Sequence, residues 1–152
     1  MFRGIHALTL DAKGRLAIPS KHRDALAAQC LGRLVCTIDP DSRCLWLYPL
    51  PAWEEIEHIL DGLPSLDQTA RRMQRLLIGH ATECDLDAQG RLLLPPPLRE
   101  FAALNKHVVL IGQGKKFEIW DEAEWNGRRE EWLKSDARDY QQLPDELKKL
   151  SL

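Results

Sequence analysis

The sequence lacks any apolar run near the roughly 18–20 residues that a membrane-spanning helix needs. Its start, Met-Phe-Arg-Gly-Ile-His, also lacks the long apolar segment of a secretory signal peptide. We therefore expect a cytoplasmic protein without membrane contact. Cysteine is scarce, with no Cys-x-x-Cys pair and no histidine at zinc-finger spacing, so we expect no metal and no cofactor. The cysteines are expected to be buried, reduced thiols: Cys30, Cys36, Cys44 and Cys84.

Net charge is also low, at −2, but the two signs are segregated along the chain. Residues 1–33 carry six basic and two acidic side chains, whereas residues 34–70 carry seven acidic and one basic. Residues 71–120 are again basic, at +3, and residues 121–152 are acidic, at −3. This asymmetry alone is a weak indication of a polyanionic partner. Both basic blocks contain the repeated motif described next.

An internal repeat covers most of the chain. A shift of 76 positions aligns Leu-Asp-Ala-Lys-Gly-Arg-Leu-Ala-Ile-Pro (10–19) with Leu-Asp-Ala-Gln-Gly-Arg-Leu-Leu-Leu-Pro (86–95), and it also aligns Arg23 with Arg99. Farther along, a shift of 72 aligns Leu45, Leu47, Tyr48 and Trp53 with Phe117, Ile119, Trp120 and Trp125. Repeated units often cannot bury an apolar face alone, so we expect the two halves to share one core.

Each half predicts a strand, a turn, a second strand and a helix. Leucine and isoleucine alternate with polar residues on both sides of an Asp-x-x-Gly-Arg motif, which is the period of a half-buried strand and predicts a hairpin. In the turns, Asp11 and Asp87 can accept backbone N–H bonds, and Gly14 and Gly90 can adopt positive φ. Two further strands and a helix follow in each half, which predicts a mainly β, α+β fold.

The predicted domain organisation follows the repeat. We expect a first repeat over residues 1–62, a linker helix over 63–78 and a second repeat over 79–135. The linker contains a basic amphipathic pattern over 67–77. A tail over 136–152 is expected to form a short helix at Asp145–Leu150.

The paired Asp-x-x-Gly-Arg motifs, the Met-Phe-Arg-Gly opening and the Gly79-His80-Ala81 entry to the second half closely resemble the MraZ family. The resemblance implies two AbrB/SpoVT-like repeats in a duplicated swapped-hairpin, double-split β-barrel, assembled as a homo-oligomeric ring. It also implies a nucleoid-associated repressor that binds direct repeats in double-stranded DNA at its own promoter, which heads the division and cell-wall gene cluster. The DNA-binding residues it implies are Arg3, Lys13, Arg15 and Arg91. Gln89 departs from the pattern, because its counterpart in the first half is Lys13.

Side-chain chemistry agrees with DNA contact by these residues. A two-stranded ribbon fits the major groove, where Arg15 and Arg91 could each form a fork onto guanine O6 and N7, with Lys13 on a phosphate. The alternative for Arg15 is a salt bridge to Asp11 and no further role. Arg3 could be a solvated side chain at a loose terminus. We expect three further basic residues to be solvated on helix faces: Lys21, Arg23 and Arg99.

Two other classes of protein share some of these sequence features. Paired aspartates in a duplicated barrel are a feature of aspartic proteases, but alanine follows both Asp11 and Asp87 where a hydroxyl side chain is expected. No recognisable nucleophile motif accompanies the histidines, so we expect no catalytic residues and no enzyme. The remaining alternative is a protein-binding scaffold or antitoxin-like module. The apolar residues of 121–152 speak partly against a disordered toxin-wrapping tail.

Overall fold

The computed structural model describes residues 1–134 and 144–149, and it divides into two compact units, residues 1–122 and residues 123–152. The strands are β1 (Phe2–Thr9), β2 (Arg15–Ala17), β3 (Leu34–Ile38), β4 (Leu45–Pro49), β5 (Thr82–Glu83), β6 (Arg91–Leu93), β7 (His107–Gly114) and β8 (Lys116–Asp121). The helices are α1 (Ser20–Cys30), α2 (Leu50–Asp61), α3 (Gln68–Met73), α4 (Pro96–Phe101), α5 (Glu122–Lys134) and α6 (Asp145–Lys148). A π-helical turn, Gln74–Ile78, follows α3.

The strands of the two halves are interleaved. One six-stranded sheet has the order β1-β7-β8-β4-β3-β5, and β2 pairs with β6 in a separate two-stranded ribbon. All these pairs are antiparallel. Strand β1 of the first half therefore pairs with β7 of the second half, and β5 of the second half pairs with β3 of the first half. The predicted α+β class is confirmed, and so are the hairpins β3–β4 and β7–β8. The predicted ladder across each Asp-x-x-Gly-Arg turn is wrong, because β2 and β6 pair with each other instead of with β1 and β5.

The apolar core explains why the halves interleave. Leu16 of β2 and Leu92 of β6 are fully buried opposite one another, as the alternating pattern predicted. One cluster joins buried residues of both halves, from Phe2 to Ile119. A smaller cluster lies between α2, the π-helical turn and the sheet, around Trp53 and Tyr48. The four cysteines are buried free thiols.

Helix boundaries follow local chemistry. Helices α1 and α4 begin directly after Pro19 and Pro95, whose fixed φ suits the entry to a helix. Helix α3 begins after Asp67, whose side chain accepts the Ala70 N–H at 2.7 Å. With the π-helical turn it forms the helix predicted from the basic pattern over 67–77. The proposed division at residues 62, 78 and 135 stays a prediction.

The second compact unit contains most of α5 and the short helix α6. In α5 the rings of Trp125 and Trp132 lie 5.9 Å apart in an edge-to-face arrangement, and the guanidinium of Arg128 lies over Trp132. Helix α6 covers four residues of the predicted tail helix, while 135–143 and 150–152 lie outside the described residues. Within the described residues, no helix is both long and apolar enough to cross a membrane.

Candidate nucleic-acid interface

The first turn (residues 11–15) is organised by the carboxylate of Asp11. Its Oδ1 accepts the backbone N–H groups of Lys13 at 2.9 Å and Arg15 at 2.8 Å, and its Oδ2 accepts Nε of Arg15 at 2.6 Å. Gly14 adopts a φ of 81°, a left-handed conformation that glycine takes without steric cost. The turn therefore fixes both the backbone and the direction of the Arg15 side chain.

The second turn (residues 87–91) repeats this geometry with one difference. Oδ1 of Asp87 accepts the backbone N–H groups of Gln89 and Arg91 at 2.9 Å each, and Oδ2 accepts Nε of Arg91 at 3.1 Å. Gly90 has a φ of 72°. In addition, Nη2 of Arg91 donates to the side-chain oxygen of Gln89 at 3.4 Å. Part of the Arg91 guanidinium therefore already has a hydrogen-bond acceptor within the turn. The lysine at the same position of the first turn cannot accept such a bond.

Both aspartates are held in the charged form. The backbone N–H of Arg15 is the main cause that lowers the pKa of Asp11 below its ordinary value, with the Arg15 side chain contributing less. The backbone N–H of Arg91 does the same to the pKa of Asp87. Each carboxylate is therefore ionised at neutral pH. The predicted salt bridge between Asp11 and Arg15 is present, and 30% of the arginine side chain stays exposed beside it.

The two arginines lie on one face of the β2–β6 ribbon. In its antiparallel register Arg15 is opposite Leu93, and Ala17 is opposite Arg91. Paired residues share a face of the ribbon, and alternate residues along a strand share it too, so these four residues form the outward face, which we call the arginine face. Arg15 and Arg91 are diagonal neighbours, a relation that places backbones about 7–8 Å apart. Leu93 on this face is 54% exposed.

The other predicted DNA contacts are placed differently. Lys13 is exposed in the first turn, next to the arginine face. Arg3 is exposed near the start of β1, opposite Gln113. Thr9, at the end of β1 nearest the first turn, lies roughly 20 Å farther along the extended strand, at about 3.4 Å per residue. The structure therefore joins Lys13 and Arg15 in one turn but places Arg3 far along the strand from it.

Two arginines that we expected to be solvated lie against the turns instead. Arg23 of α1 is half-buried beside Gly90 of the second turn, and Arg99 of α4 is half-buried beside Gly14 of the first. The prediction of a solvated helix face is therefore wrong for both residues. The available signal was their matched position, since each follows the turn arginine of its own half by the same interval.

One group of potential metal ligands lies away from the turns. Among the described residues, ligand atoms of Asp39, Cys44 and Glu118 lie within 4.8 Å of one another. These side chains already have protein partners: Asp39 accepts the amides of Asp41 and Ser42 and the Cys44 thiol. Burial raises the pKa of Cys44, which favours the thiol over the metal-binding thiolate. The arrangement stabilises the turn between β3 and β4.

Comparison with known proteins identifies the family. A family described as "MraZ protein, putative antitoxin-like" matches residues 1–76 and again residues 77–149. The chain belongs to the MraZ family. It is 59% identical over its whole length to the transcriptional regulator MraZ of Halorhodospira halophila, and all of that protein is covered. It is 51% identical, again over the whole of both chains, to the protein of that name from Coxiella burnetii. It is also 59% identical to the one from Thioalkalivibrio sulfidiphilus, over 90% of each chain.

MraZ membership distinguishes a regulator of transcription from an enzyme. The match covers both repeats, so the duplication recognised from the Asp-x-x-Gly-Arg motifs is a family property. Relatives with this name are transcriptional regulators, which makes this chain a regulator and not an enzyme. The paired aspartates consequently serve to organise the turns.

Proposed function

We propose that the arginine face binds duplex DNA and that this MraZ protein reads a promoter sequence through it. The observation that carries the proposal is that two aspartates hold Arg15 and Arg91 side by side on one outward face. A two-stranded ribbon fits the major groove, which is about 12 Å wide, and an arginine fork matches O6 and N7 of guanine. Asp11, Gly14, Asp87 and Gly90 support the turns, while Lys13 and Arg3 contact phosphates.

A single face makes few contacts, so we propose that the protein acts as a homo-oligomeric ring on directly repeated sites. Joining several faces makes each later contact intramolecular and can raise avidity by roughly 10²–10⁴. The family resemblance supports a nucleoid-associated repressor of its own promoter and of the adjacent division and cell-wall genes. Relatives named transcriptional regulator MraZ support regulation of transcription.

A binding titration tests the proposal. Fluorescence anisotropy on the DNA upstream of the protein's own gene compares the wild type with an Arg15→Ala, Arg91→Ala double variant and with a scrambled fragment. Each lost fork to guanine contributes about 1–3 kcal/mol, so we expect the double variant to bind at least about tenfold more weakly. An Arg71→Ala, Arg72→Ala variant removes equal charge from the exposed side of α3 and should bind normally.

Undiminished affinity in the double variant would contradict the proposal. Capture of one stoichiometric protein partner by a chain that leaves the promoter fragment unshifted would favour the scaffold or antitoxin-like alternative.

A further inference from the structure

The first turn is tied to the second half by a chain of hydrogen bonds. The carbonyl of Gly14 accepts the backbone N–H of Leu94 at 3.0 Å, and the carbonyl of Leu94 accepts Nε of Arg99 at 3.0 Å. The guanidinium of Arg99 then lies against Gly14, where an added Cβ would come within 2.6 Å of Cζ. Only a residue without a side chain leaves room for this contact. Arg99 therefore covers a turn that belongs to the other half of the sequence.

The second turn is tied to the first half in the reciprocal way. The carbonyl of Gly90 accepts the backbone N–H of Ile18 at 3.0 Å. Nη1 of Arg23 donates to the carbonyl of Gln89 at 3.2 Å, inside the turn itself. An added Cβ at Gly90 would overlap Cδ of Arg23. Packing of an arginine against the turn glycine thus occurs twice, and each time it joins the helix of one half to the turn of the other. The hydrogen bonds differ, because Arg23 donates into the opposite turn and Arg99 donates to Leu94 of its own half.

We propose that Arg23 and Arg99, the crossed arginines, are positioning residues that hold the turn of the opposite half in its binding conformation. A planar guanidinium can lie flat over a glycine while it donates to a nearby carbonyl, which a lysine ammonium cannot do. Each DNA-contacting arginine is therefore oriented by its own aspartate and supported by a helix from the other half. The consequence for DNA rests on the proposed function, whereas the effect on the turns does not.

Hydrogen exchange of the DNA-free protein, followed by mass spectrometry, tests the effect on the turns. We expect Arg99→Ala to speed exchange of the amides of residues 13–15 by about tenfold, and to leave residues 89–91 nearly unchanged. Arg23→Ala should show the opposite pattern. Lys21→Ala, an equal charge loss on the exposed side of α1, should change neither. Equal acceleration of both turns, or acceleration of the variant's own half, would overturn the proposal.

Double-variant titrations test the consequence for DNA. Arg99→Ala should weaken promoter binding, and its effect should be non-additive with that of Arg15→Ala but additive with that of Arg91→Ala. The effect of Arg23→Ala should be non-additive with that of Arg91→Ala and additive with that of Arg15→Ala. A positioning residue releases no counterions, so the slope of log affinity against log salt should stay unchanged. A slope reduced by about 0.9 would instead mark a direct phosphate contact and overturn the positioning role. If Arg15→Ala and Arg91→Ala themselves leave DNA affinity unchanged, the proposed function is contradicted. The hydrogen-exchange pattern of the two turns still decides whether Arg23 and Arg99 are positioning residues.

Discussion

The two turns have the same backbone and different surroundings for the arginine. Arg15 is held by Asp11 at 2.6 Å and has the exposed Lys13 beside it. Arg91 is held by Asp87 at 3.1 Å and also donates to Gln89. The first turn therefore offers two cations to a phosphate or base, whereas the second divides one guanidinium between two acceptors of its own. The two turns thus share a conformation and differ in the cationic groups that they expose.

The largest expected effect is on the free energy of unfolding and concerns the core that lies beneath both turns. Leu16 and Leu92 are both fully buried beneath the arginine face. Truncation of a buried leucine to alanine removes apolar contacts and leaves a cavity, at a cost of about 2–5 kcal/mol in free energy of unfolding. We expect Leu16→Ala and Leu92→Ala to be destabilised by similar amounts in denaturant unfolding at equal protein concentration. A loss confined to one of them would show that the halves do not share the core equally.

The next effect separates the turns by DNA affinity. Arg15→Ala should weaken promoter binding more than Arg91→Ala, within the range of about 1–3 kcal/mol for a lost fork to guanine. The reason is that Gln89 competes for the Arg91 guanidinium, while Lys13 adds charge beside Arg15. Anisotropy titrations on the same promoter fragment measure both. Equal losses would mean that the neighbouring residue does not matter.

Exchanging Lys13 and Gln89 between the two turns should change DNA affinity in opposite directions. Gln89→Lys frees the Arg91 guanidinium and adds a cation, so we expect several-fold tighter binding and a salt slope steeper by about 0.9. Lys13→Gln should weaken binding and make the slope shallower by the same amount. A salt titration of each variant gives both quantities. An unchanged slope in both would exclude a phosphate contact at this position of either turn.

The smallest effect is electrostatic and local. Asp11 and Asp87 should both titrate below the ordinary aspartate pKa, because backbone N–H groups favour their charged forms. Since the lowered pKa belongs to the folded state, the stabilisation they give is present above the unfolded-state pKa and lost as pH falls through the folded value. Carboxyl-carbon NMR measures each titration. Arg15→Ala should raise the pKa of Asp11 only slightly, as residue 15 keeps its backbone N–H.

Local features could be predicted from the sequence because neighbouring residues determine them. The Asp-x-x-Gly-Arg chemistry predicted both turns, and alternation predicted the burial of Leu16. Strand partners could not be predicted in the same way. A period of two shows which side chains face the core, but not which strand lies alongside, so the pairing of β2 with β6 required the structure. Arg23 and Arg99 were missed because a single helix-surface arginine has the same sequence pattern whether it meets water or another half, and only their equal spacing from the turn arginines marked them.

Interleaved pairing has a consequence for the independence of the two repeats. A chain with one repeat would have β1 without β7 and β2 without β6, so it could complete its sheet and ribbon only by joining a second copy. In such a dimer any substitution in the turn would occur in both copies. In this chain the two turns are encoded separately, so the same position of the turn can be Lys13 in one half and Gln89 in the other.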